Sequence, residues 1–521
     1  MRRALLLALL AALACASPAV ASPADAKTAR KGLDVAVARG RLTESEAARY
    51  RAAVSHALTL ERRLPASRAE VLGAVLAEVA RPPRFYTRAR ALTLFSMLEV
   101  NADYLAEHPV PPSGRDVEGP GGIVYRAFSG RGLQFHPLAN AAKLNAHVSA
   151  GRVDEAAALA QALEERGVSR LGGAAWEYWF DYGGSRAPWA SGMAQAVMAQ
   201  AFARAAELVG DPALTREATL AAHTVPALTM QLAKGPWVEL YQGWRLVVLN
   251  AQLQTAVSLA EYARLAGDGA AADVAAQLRA TAAALLPSFD TGYWSDYSLG
   301  NESSLSYQRY VVTLLRRLGR DTGEPLWTDT AARFAEYERQ PPLLRAGPAA
   351  KPVYPVPHEG FRDDAVVTFW VSKISDVTLV VDGKWRRTVR AHKGWNTLSW
   401  TVPAGLGPGS HRAWLVARGL AGNPGRVDLD DVVVARDTEP PEVHATVGGG
   451  RLHWRGIDEA SDRLRLLLVL RGGGRSARVD LGLRPLRGMW RLKLPDGRWW
   501  AVLVARDASG NETRVSLGRV A

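Results

Sequence analysis

The stretch QPPLLRAGPAAKPVYPVP, residues 340–357, divides a 521-residue sequence into two regions with different hydrophobic periodicities. Before it, apolar residues recur at intervals of three and four, as in amphipathic helices. After it, β-branched and aromatic residues fill short segments between Gly and Pro, as in strands. Because proline interrupts both kinds of element, residues 341–357 are predicted to form a linker between a helical and a β-rich region.

The helical region is predicted to cover residues 22–340, as helices joined by short loops. Paired helices of this kind stack as a bundle, a solenoid or a closed α/α toroid. Six runs carry the helical pattern: 139–162, 194–209, 249–265, 271–286, 307–318 and 329–337. Sequence signals for helix ends are the capping boxes Thr43/Glu46 and Ser67/Glu70 and the tripeptide Gly210-Asp211-Pro212.

The β-rich region contains an internal repeat. LVARGLAGNPGRVDL at residues 415–429 recurs as LVARDASGNETRVSL at residues 503–517, with an offset of 88 residues and no gap. Two similar modules, residues 358–437 and 438–521, are therefore predicted, each of the length of an immunoglobulin-like β-sandwich. The repeated Gly-Asn step is typical of a tight turn that needs positive φ. Strands are expected at 365–371, 377–381, 397–402 and 412–416.

The amino terminus resembles a signal peptide. Two arginines precede an apolar run at residues 4–14, and Ala19-Val20-Ala21 has the small-x-small pattern of a cleavage site. Residues 1–21 are predicted to be removed, which makes the protein secreted or cell-surface. A membrane anchor and a lipoprotein attached through Cys15, the only cysteine, are the alternatives.

The charge is unevenly distributed. The chain has a formal charge of +13, and residues 351–521 hold 27 Lys and Arg against 18 Asp and Glu, a net of +9. Such an excess of positive charge favours the binding of polyanions, although an Arg-rich surface that serves only solubility would have the same composition. We expect an acidic polysaccharide or cell-wall glycan as partner, without nucleic acid or a transmembrane segment. A homodimer is left open.

Several catalytic signatures are missing from the sequence. It has no phosphate-binding glycine loop, no nucleophile elbow and no His-Glu-x-x-His pair. Nucleotide chemistry and zinc catalysis therefore lose support, and we predict neither a cofactor nor a metal.

Aromatic and polar residues cluster instead at predicted helix ends, in segments 176–182, 188–195, 237–241 and 290–297. Aromatic faces stack on the C–H faces of sugars, while Tyr, Asp and Glu bind hydroxyls. The alternative is that these rings only fill the centre of a helical toroid. The clusters predict a glycan cleft with the substrate-binding residues Trp176, Tyr178, Asp181, Trp189 and Gln195.

Three of these segments carry a family resemblance. APWASGMAQ at 187–195, VELYQGWRLVVLN at 238–250, and DTGYWSDYSL at 290–299 with Tyr307 downstream resemble the motif series of the D-glucuronyl C5-epimerase carboxy-terminal domain. The similarity covers roughly residues 120–340. It implies an α/α toroid that inverts C5 of uronic acids within a polymer by removing and returning a proton.

The resemblance also implies site residues. Tyrosines with a nearby glutamate serve as the family's acid and base, and the C5 proton becomes acidic only when the adjacent carboxylate is neutralised. The matching catalytic positions are Tyr241, Tyr297, Tyr307 and Glu239. The cations nearest these motifs are Arg186, Arg245 and Arg309. They are predicted to bind the substrate by neutralising its carboxylate, although each is also compatible with a plain surface role.

The motifs depart from the family pattern at three places, one of which is the Arg that can follow the Tyr-Asp-Leu segment, where this chain has Ser298-Leu299-Gly300. Glu239-Leu240-Tyr241-Gln242 replaces Glu-Glu-Tyr-Pro, and the segment 307–311 lacks both histidines of Tyr-His-x-x-His. A related polyuronate lyase and a non-catalytic glycan-binding or wall-binding protein therefore stay open beside the epimerase. A glycoside hydrolase needs two flanking carboxylates. The candidates are Glu177, Asp181, Glu239, Asp290 and Asp296.

Overall fold

The structure, a computed structural model, describes residues 23–81, 86–403 and 405–520. The predicted signal peptide, its cleavage site and Cys15 lie outside these residues. The chain divides into two compact units, one ending at Tyr337 and the other beginning at Glu338. Across the described ranges, no helix is both long enough and apolar enough to cross a membrane.

Twelve α-helices lie in the described residues, all of them before residue 340, so the helix-rich first part is confirmed. They are α1 (Pro23–Ala38), α2 (Glu44–Glu61), α3 (Ala66–Ala80), α4 (Arg88–Glu107), α5 (Pro137–Ser149), α6 (Val153–Glu164), α7 (Gly192–Val209), α8 (Pro212–Ala222), α9 (Leu249–Ala266), α10 (Gly269–Leu285), α11 (Leu305–Thr322) and α12 (Pro325–Arg339).

Helix ends follow the capping signals at two of three positions. The Thr43 box is present, with Glu46 N–H donating to Thr43 Oγ1 at 3.2 Å and Thr43 N–H donating to Glu46 Oε2 at 2.8 Å. Gly210 ends α7 with φ +74°, and Asp211 caps α8. The prediction of a capping box at Ser67 is wrong, because α3 already begins at Ala66 and no side chain caps it.

The helices from α5 onward alternate between two layers. Helices α5, α7, α9 and α11 pack side by side in one row, and α6, α8 and α10 pack against that row as hairpin partners. Because consecutive members of the row are separated by one antiparallel helix, they run in the same direction. Helices α7 and α9 are buried almost throughout, which explains why their sequences are rich in Ala on all sides.

A short hairpin precedes each helix of this row, so the connecting loops gather at the amino-terminal end of the row. The hairpin strands are β2 (Val124–Phe128) with β3 (Gly132–Phe135), β4 (Val168–Arg170) with β5 (Gly173–Ala175), β6 (Thr229–Leu232) with β7 (Gly235–Val238), and β8 (Asp296–Ser298) with β9 (Asn301–Glu302); β1 (Asp116–Glu118) pairs with β2.

The second unit consists of antiparallel strands, as expected for its sequence pattern. The strands are β10 (Leu344–Ala346), β11 (Asp364–Val371), β12 (Ser375–Val381), β13 (Trp385–Ala391), β14 (Gly394–Thr401), β15 (Gly409–His411), β16 (Ala413–Gly419), β17 (Pro424–Asp428), β18 (Val432–Val434), β19 (Glu442–Gly448), β20 (Arg451–Ile457), β21 (Arg463–Gly472), β22 (Arg475–Pro485), β23 (Arg487–Arg491), β24 (Trp499–Arg506) and β25 (Glu512–Val520).

The 88-residue repeat is visible in the sheets. A four-stranded sheet in the order β13-β12-β16-β17 recurs as β22-β21-β24-β25, and each faces a three-stranded sheet. The repeated Gly422 and Gly510 have φ of +90° and +93° in the turns before β17 and β25, as the Gly-Asn step predicts. Apolar side chains from both sheets form a common core in each module.

Part of the predicted linker belongs to the first β module. Residues 344–346 form β10, which pairs with β11, and the buried Val353 bridges to Val434. Proline is tolerated next to such an edge strand because an edge leaves backbone donors unpaired. The remaining boundaries, at residues 21, 357 and 437, stay predictions.

Candidate functional site

An aromatic cavity lies where the loops before α5, α7 and α9 meet. The Tyr178 ring stacks on Trp189 with a centroid distance of 4.1 Å and an interplanar angle of 8°, and Tyr182 packs against Tyr241 at 5.1 Å. The lining includes His136 and Ser191, the capping residues of α5 and α7. All lining residues are Phe128, His136, Leu138, Tyr178, Phe180, Tyr182, Trp189, Ser191, Leu240 and Tyr241.

Backbone pairing holds this loop rigid. Tyr178 and Trp189 exchange two backbone hydrogen bonds of 2.8 and 3.1 Å, and the Trp189 indole donates to Phe180 O at 2.7 Å. Next to them, Gly183 has φ +53°, and a Cβ built there would lie 2.1 Å from the Trp244 ring. The loops around Tyr178, Gly183 and Trp189 are therefore constrained in sequence, because they pack closely against one another and against Trp244.

Replacing Gly183 by Ala should lower the free energy of unfolding by roughly 2–4 kcal/mol, since left-handed strain and overpacking add. Gly130→Ala is the matched control, because Gly130 has φ +70° and nothing within 4 Å of its ideal Cβ. Denaturant midpoints of the two variants measure the difference. Equal losses would show that the Trp244 contact has no energetic weight.

The three tyrosines of the family motifs are brought together. Tyr297 on β8 and Tyr307 in the first turn of α11 have ring centroids 4.7 Å apart, and both are half-buried. Tyr241, on the loop before α9, is more deeply buried than either. Hydrogen bonding with Tyr241 and with Tyr307 lowers the pKa of the Tyr297 phenol, so the three hydroxyls influence one another. We call these three residues the tyrosine group.

The group's members differ in acidity. Burial raises the pKa of Tyr297, while the hydrogen bonds from Tyr241 and Tyr307 act in the opposite direction. For Tyr241, burial raises the pKa well above its usual range, and the nearby Tyr297 and Tyr182 raise it further. Burial also raises the pKa of Tyr307 strongly. Tyr297 is therefore the phenol of the group whose anion is best stabilised.

A cation lies beside the tyrosine group. Arg126, on β2, acts electrostatically on both Tyr178 and Tyr307. Its Nε and Nη2 donate to the two Asp116 oxygens at 2.7 and 2.8 Å, and no described residue bonds to its Nη1. Arg126 also contributes to lowering the pKa of His136, although burial is the larger cause. The sequence motifs did not include Arg126.

A buried ionic network supports the loops. The Glu177 side chain is fully buried, and it accepts from Arg90 at 2.9 and 3.0 Å and from Arg170 at 2.5 Å. Arg170 continues to Gln242 Oε1 at 3.2 Å, directly after Tyr241. With two cations and one carboxylate the network carries an excess positive charge, and it links the 176–182 loop to the Tyr241 loop.

The predicted sugar-binding residues occupy different positions. Tyr178 and Trp189 line the cavity. Trp176 and Gln195 are fully buried and bonded to each other, with Trp176 N–H donating to Gln195 Oε1 and Gln195 Nε2 donating to Trp176 O. Asp181 is partly exposed and accepts from Arg81 at 2.9 Å and from the Ala187 amide at 2.9 Å.

The carboxylates that would serve a hydrolase all have protein partners. Glu239 accepts from the Gly243 amide at 2.8 Å and thereby stabilises the loop of Tyr241. Asp290 binds Arg333 and Tyr337, and Asp296 accepts from the Gly300 amide at 2.9 Å. Together with the bonded Glu177 and Asp181, these contacts account for all five candidates, so the structure presents no pair that points to hydrolysis.

The three predicted cations are exposed. Arg186 makes no ion pair with any described residue, and Arg245 reaches only the Gln231 carbonyl, at 3.4 Å. Arg309 lies on the exposed side of α11. Within the described ranges, no group of three or more His, Cys, Asp or Glu side chains is placed to hold a metal ion.

Similarity to solved structures is remote. A GH76 α-mannanase from Bacteroides thetaiotaomicron is 10% identical with a TM-score of 0.30 over 38% of this chain, and the match spans 60% of the mannanase chain. A D-mannose isomerase is 12% identical with a TM-score of 0.33 over 47% of this chain and 70% of its own. Fibronectin(III)-like modules from Clostridium thermocellum are 16% identical with a TM-score of 0.17 over 34% and 92%. No curated protein sequence matches the chain.

Sequence-family comparison gives a specific match. The family described as D-glucuronyl C5-epimerase C-terminus matches residues 172–336, a range that contains the cavity loops before α7 and α9, the buried Glu177 and all three tyrosines of the group. The resemblance inferred from the motifs is confirmed for this range. Residues 172–336 are therefore similar to the D-glucuronyl C5-epimerase C-terminus family.

Proposed function

We propose that the helical unit is a C5-epimerase of hexuronic acid residues in an acidic polysaccharide. The observation that carries this proposal is the tyrosine group: Tyr241, Tyr297 and Tyr307 lie on three separate elements of the epimerase-like range and come together in space. Proton removal and return at a carbon next to a carboxylate needs positioned acids and bases, and the group supplies them.

Tyr297 is the base in this proposal. A phenol takes a proton from carbon only as its anion, and two donated hydrogen bonds stabilise that anion. Its half-buried position lets it reach a bound sugar, whereas Tyr241 is almost fully buried. Tyr307 stays protonated because burial raises its pKa, so it is the group that returns a proton.

The substrate carboxylate has two sources of stabilisation. Arg126 has one guanidinium nitrogen, Nη1, without a partner among the described residues, and a charge-assisted hydrogen bond from it would neutralise the carboxylate. The amino termini of α5 and α7, capped by the cavity residues His136 and Ser191, add partial positive charge. Arg126 thereby takes the role that the sequence assigned to Arg186, Arg245 or Arg309.

Arg126→Gln should raise the KM for a uronate polymer by about 10–100-fold, the equivalent of one charged hydrogen bond of roughly 1.5–3 kcal/mol. Asp116→Asn is the control, because it breaks the same ion pair and keeps the cation. We expect its KM to stay unchanged or fall. Equal increases in both variants would make Arg126 a structural residue, and an increase confined to Arg186→Gln would restore the sequence-based assignment.

A polyuronate lyase is the second candidate, and one observation favours it. The segment 307–311 lacks both histidines of the family pattern, which leaves fewer groups to deliver a proton to a second face of the sugar. Elimination needs proton transfer on one side alone, whereas inversion needs a proton delivered to the opposite face. A non-catalytic glycan-binding protein would need no proton transfer at all.

Product analysis separates these functions. Polyuronates incubated with the full-length protein and examined by NMR would show inverted C5 rings for an epimerase and unsaturated chain ends for a lyase. Unchanged polymer that still binds would replace both with a glycan-binding protein. Export, which this function requires if the polymer is extracellular, rests on the signal-like sequence at residues 1–21.

A further inference from the structure

The outer face of the sheet β22-β21-β24-β25 carries an unusual row of side chains. Arg471 on β21 pairs with Trp500 on β24, and Trp500 pairs with Arg519 on β25. Paired residues in neighbouring strands point to the same face. All three are exposed, and the Trp500 side chain is 56% accessible. We call these three residues the Arg-Trp-Arg row.

The cations of the row have no acidic partner in the protein. Neither Arg471 nor Arg519 forms an ion pair with a described residue, and the same is true of Arg478, one diagonal step away on β22. Arg519 lies over the Trp500 ring, with its guanidinium carbon 5.5 Å from the centroid. On the same face Arg465 pairs with Asp480, and Arg506 and Arg514 pair with Glu512, whereas Arg463 at the far end of β21 makes no ion pair with a described residue.

The first module has no equivalent of the row. Its four-stranded sheet has Asp382 and Arg412 at the positions that correspond to Arg471 and Trp500. On the corresponding face of that module, Arg390 pairs with Asp376 and Arg426 with Asp428. The two sheets have the same strand order, so the row is a property of the second module's side chains and not of the shared fold.

The spacing of the charges identifies the ligand class. Two strand steps separate Arg471 from Arg519, a distance of about 10 Å. Duplex DNA carries one charge per roughly 1.7 Å of axis, which calls for a denser array of cations. A carboxylated polysaccharide has widely spaced charges and apolar C–H faces. Arg binds carboxylates through its planar fork of donors, and an exposed indole stacks on sugar faces.

We propose that the Arg-Trp-Arg row is a binding site for a chain of an acidic polysaccharide, separate from the tyrosine group. The carboxylates bind Arg471 and Arg519, and one sugar ring stacks on Trp500. That this polymer is also the substrate of the helical unit rests on the proposed function, whereas binding at the row does not.

The test measures binding of polygalacturonate to the full-length protein by titration calorimetry at low ionic strength. Arg471→Gln/Arg519→Gln should weaken binding about tenfold, and Trp500→Ala about fivefold. The matched control, Arg465→Gln/Arg506→Gln, removes the same charge from the same face but takes arginines that are already paired. We expect it to change the Kd less than twofold, and we expect added salt to weaken wild-type binding.

Three results would overturn the site. Equal losses in both double variants would mean diffuse charge attraction, tight binding of uncharged dextran would exclude carboxylate recognition, and tighter binding of duplex DNA would assign the face to nucleic acid. Failure of the proposed enzyme activity would look different. In that case C5 exchange would be missing in the wild type while these binding differences persisted.

Discussion

Tyr297→Phe should slow exchange of the C5 proton by about 10²–10⁴-fold, the usual contribution of a positioned proton-transfer group. The substitution removes one hydroxyl and leaves a half-buried ring in contact with Tyr307, so the fold and the affinity for glycan should persist. Tyr241→Phe and Tyr307→Phe each remove one hydrogen bond donated to Tyr297. Loss of that bond alone should slow C5 exchange by about tenfold. Tyr307→Phe should slow it further if the Tyr307 hydroxyl also returns the proton.

The control for this series is Tyr262→Phe. The Tyr262 hydroxyl bonds to Thr219 and Asp268, away from the tyrosine group, and its removal should leave exchange unaffected. Deuterium incorporation per unit time, corrected for folded protein, is the measurement. A Tyr297→Phe enzyme that keeps most of its rate while Tyr241→Phe loses it would transfer the role of base to Tyr241.

Glu177→Leu should lower the free energy of unfolding by roughly 3–5 kcal/mol, because it leaves Arg90 and Arg170 without their shared carboxylate. The Glu177 side chain has no exposed area, and the two arginine side chains are only 14% and 24% accessible. Water therefore cannot fully replace the lost partner. The loss should also loosen the Tyr241 loop, which Arg170 reaches through Gln242.

An exposed ion pair gives the comparison. Glu99 pairs with Arg49 at 2.9 Å, with 31% and 58% of the two side chains accessible, and Glu99→Leu should cost at most about 1 kcal/mol through its lost pair. Denaturant unfolding of both variants measures the contrast. Losses of similar size would show that burial adds nothing to the network around Glu177.

Much of the fold could be predicted from periodicity. Helices α7 and α9 begin within two residues of their predicted starts, and each ends at a glycine in the left-handed conformation, Gly210 and Gly267. The run 139–162 is instead two helices, since Gly151, with φ +66°, interrupts a pattern that both neighbours share. The role of residues 344–346 as a strand was missed because proline-rich composition hides an edge strand.

The site was only partly predictable. The tyrosine group could be found because Tyr241, Tyr297 and Tyr307 each belong to a motif. Their proximity to one another follows because these motifs lie at the same end of the helix row. Arg126 belongs to no motif, and it reaches the group through the pairing of β2 with β1 and β3. Trp176 looked like a sugar platform because composition does not show that its ring is fully buried.

The most direct test of the proposed function is the deuterium content at C5 after wild-type protein has acted on polyuronates in deuterated water. Any enzyme that removes and returns the C5 proton must leave solvent deuterium there. We expect deuterium at C5 in rings of both configurations, with the signal reduced by about 10²–10⁴-fold in Tyr297→Phe. Absence of deuterium from every polyuronate that the protein binds would contradict the epimerase account.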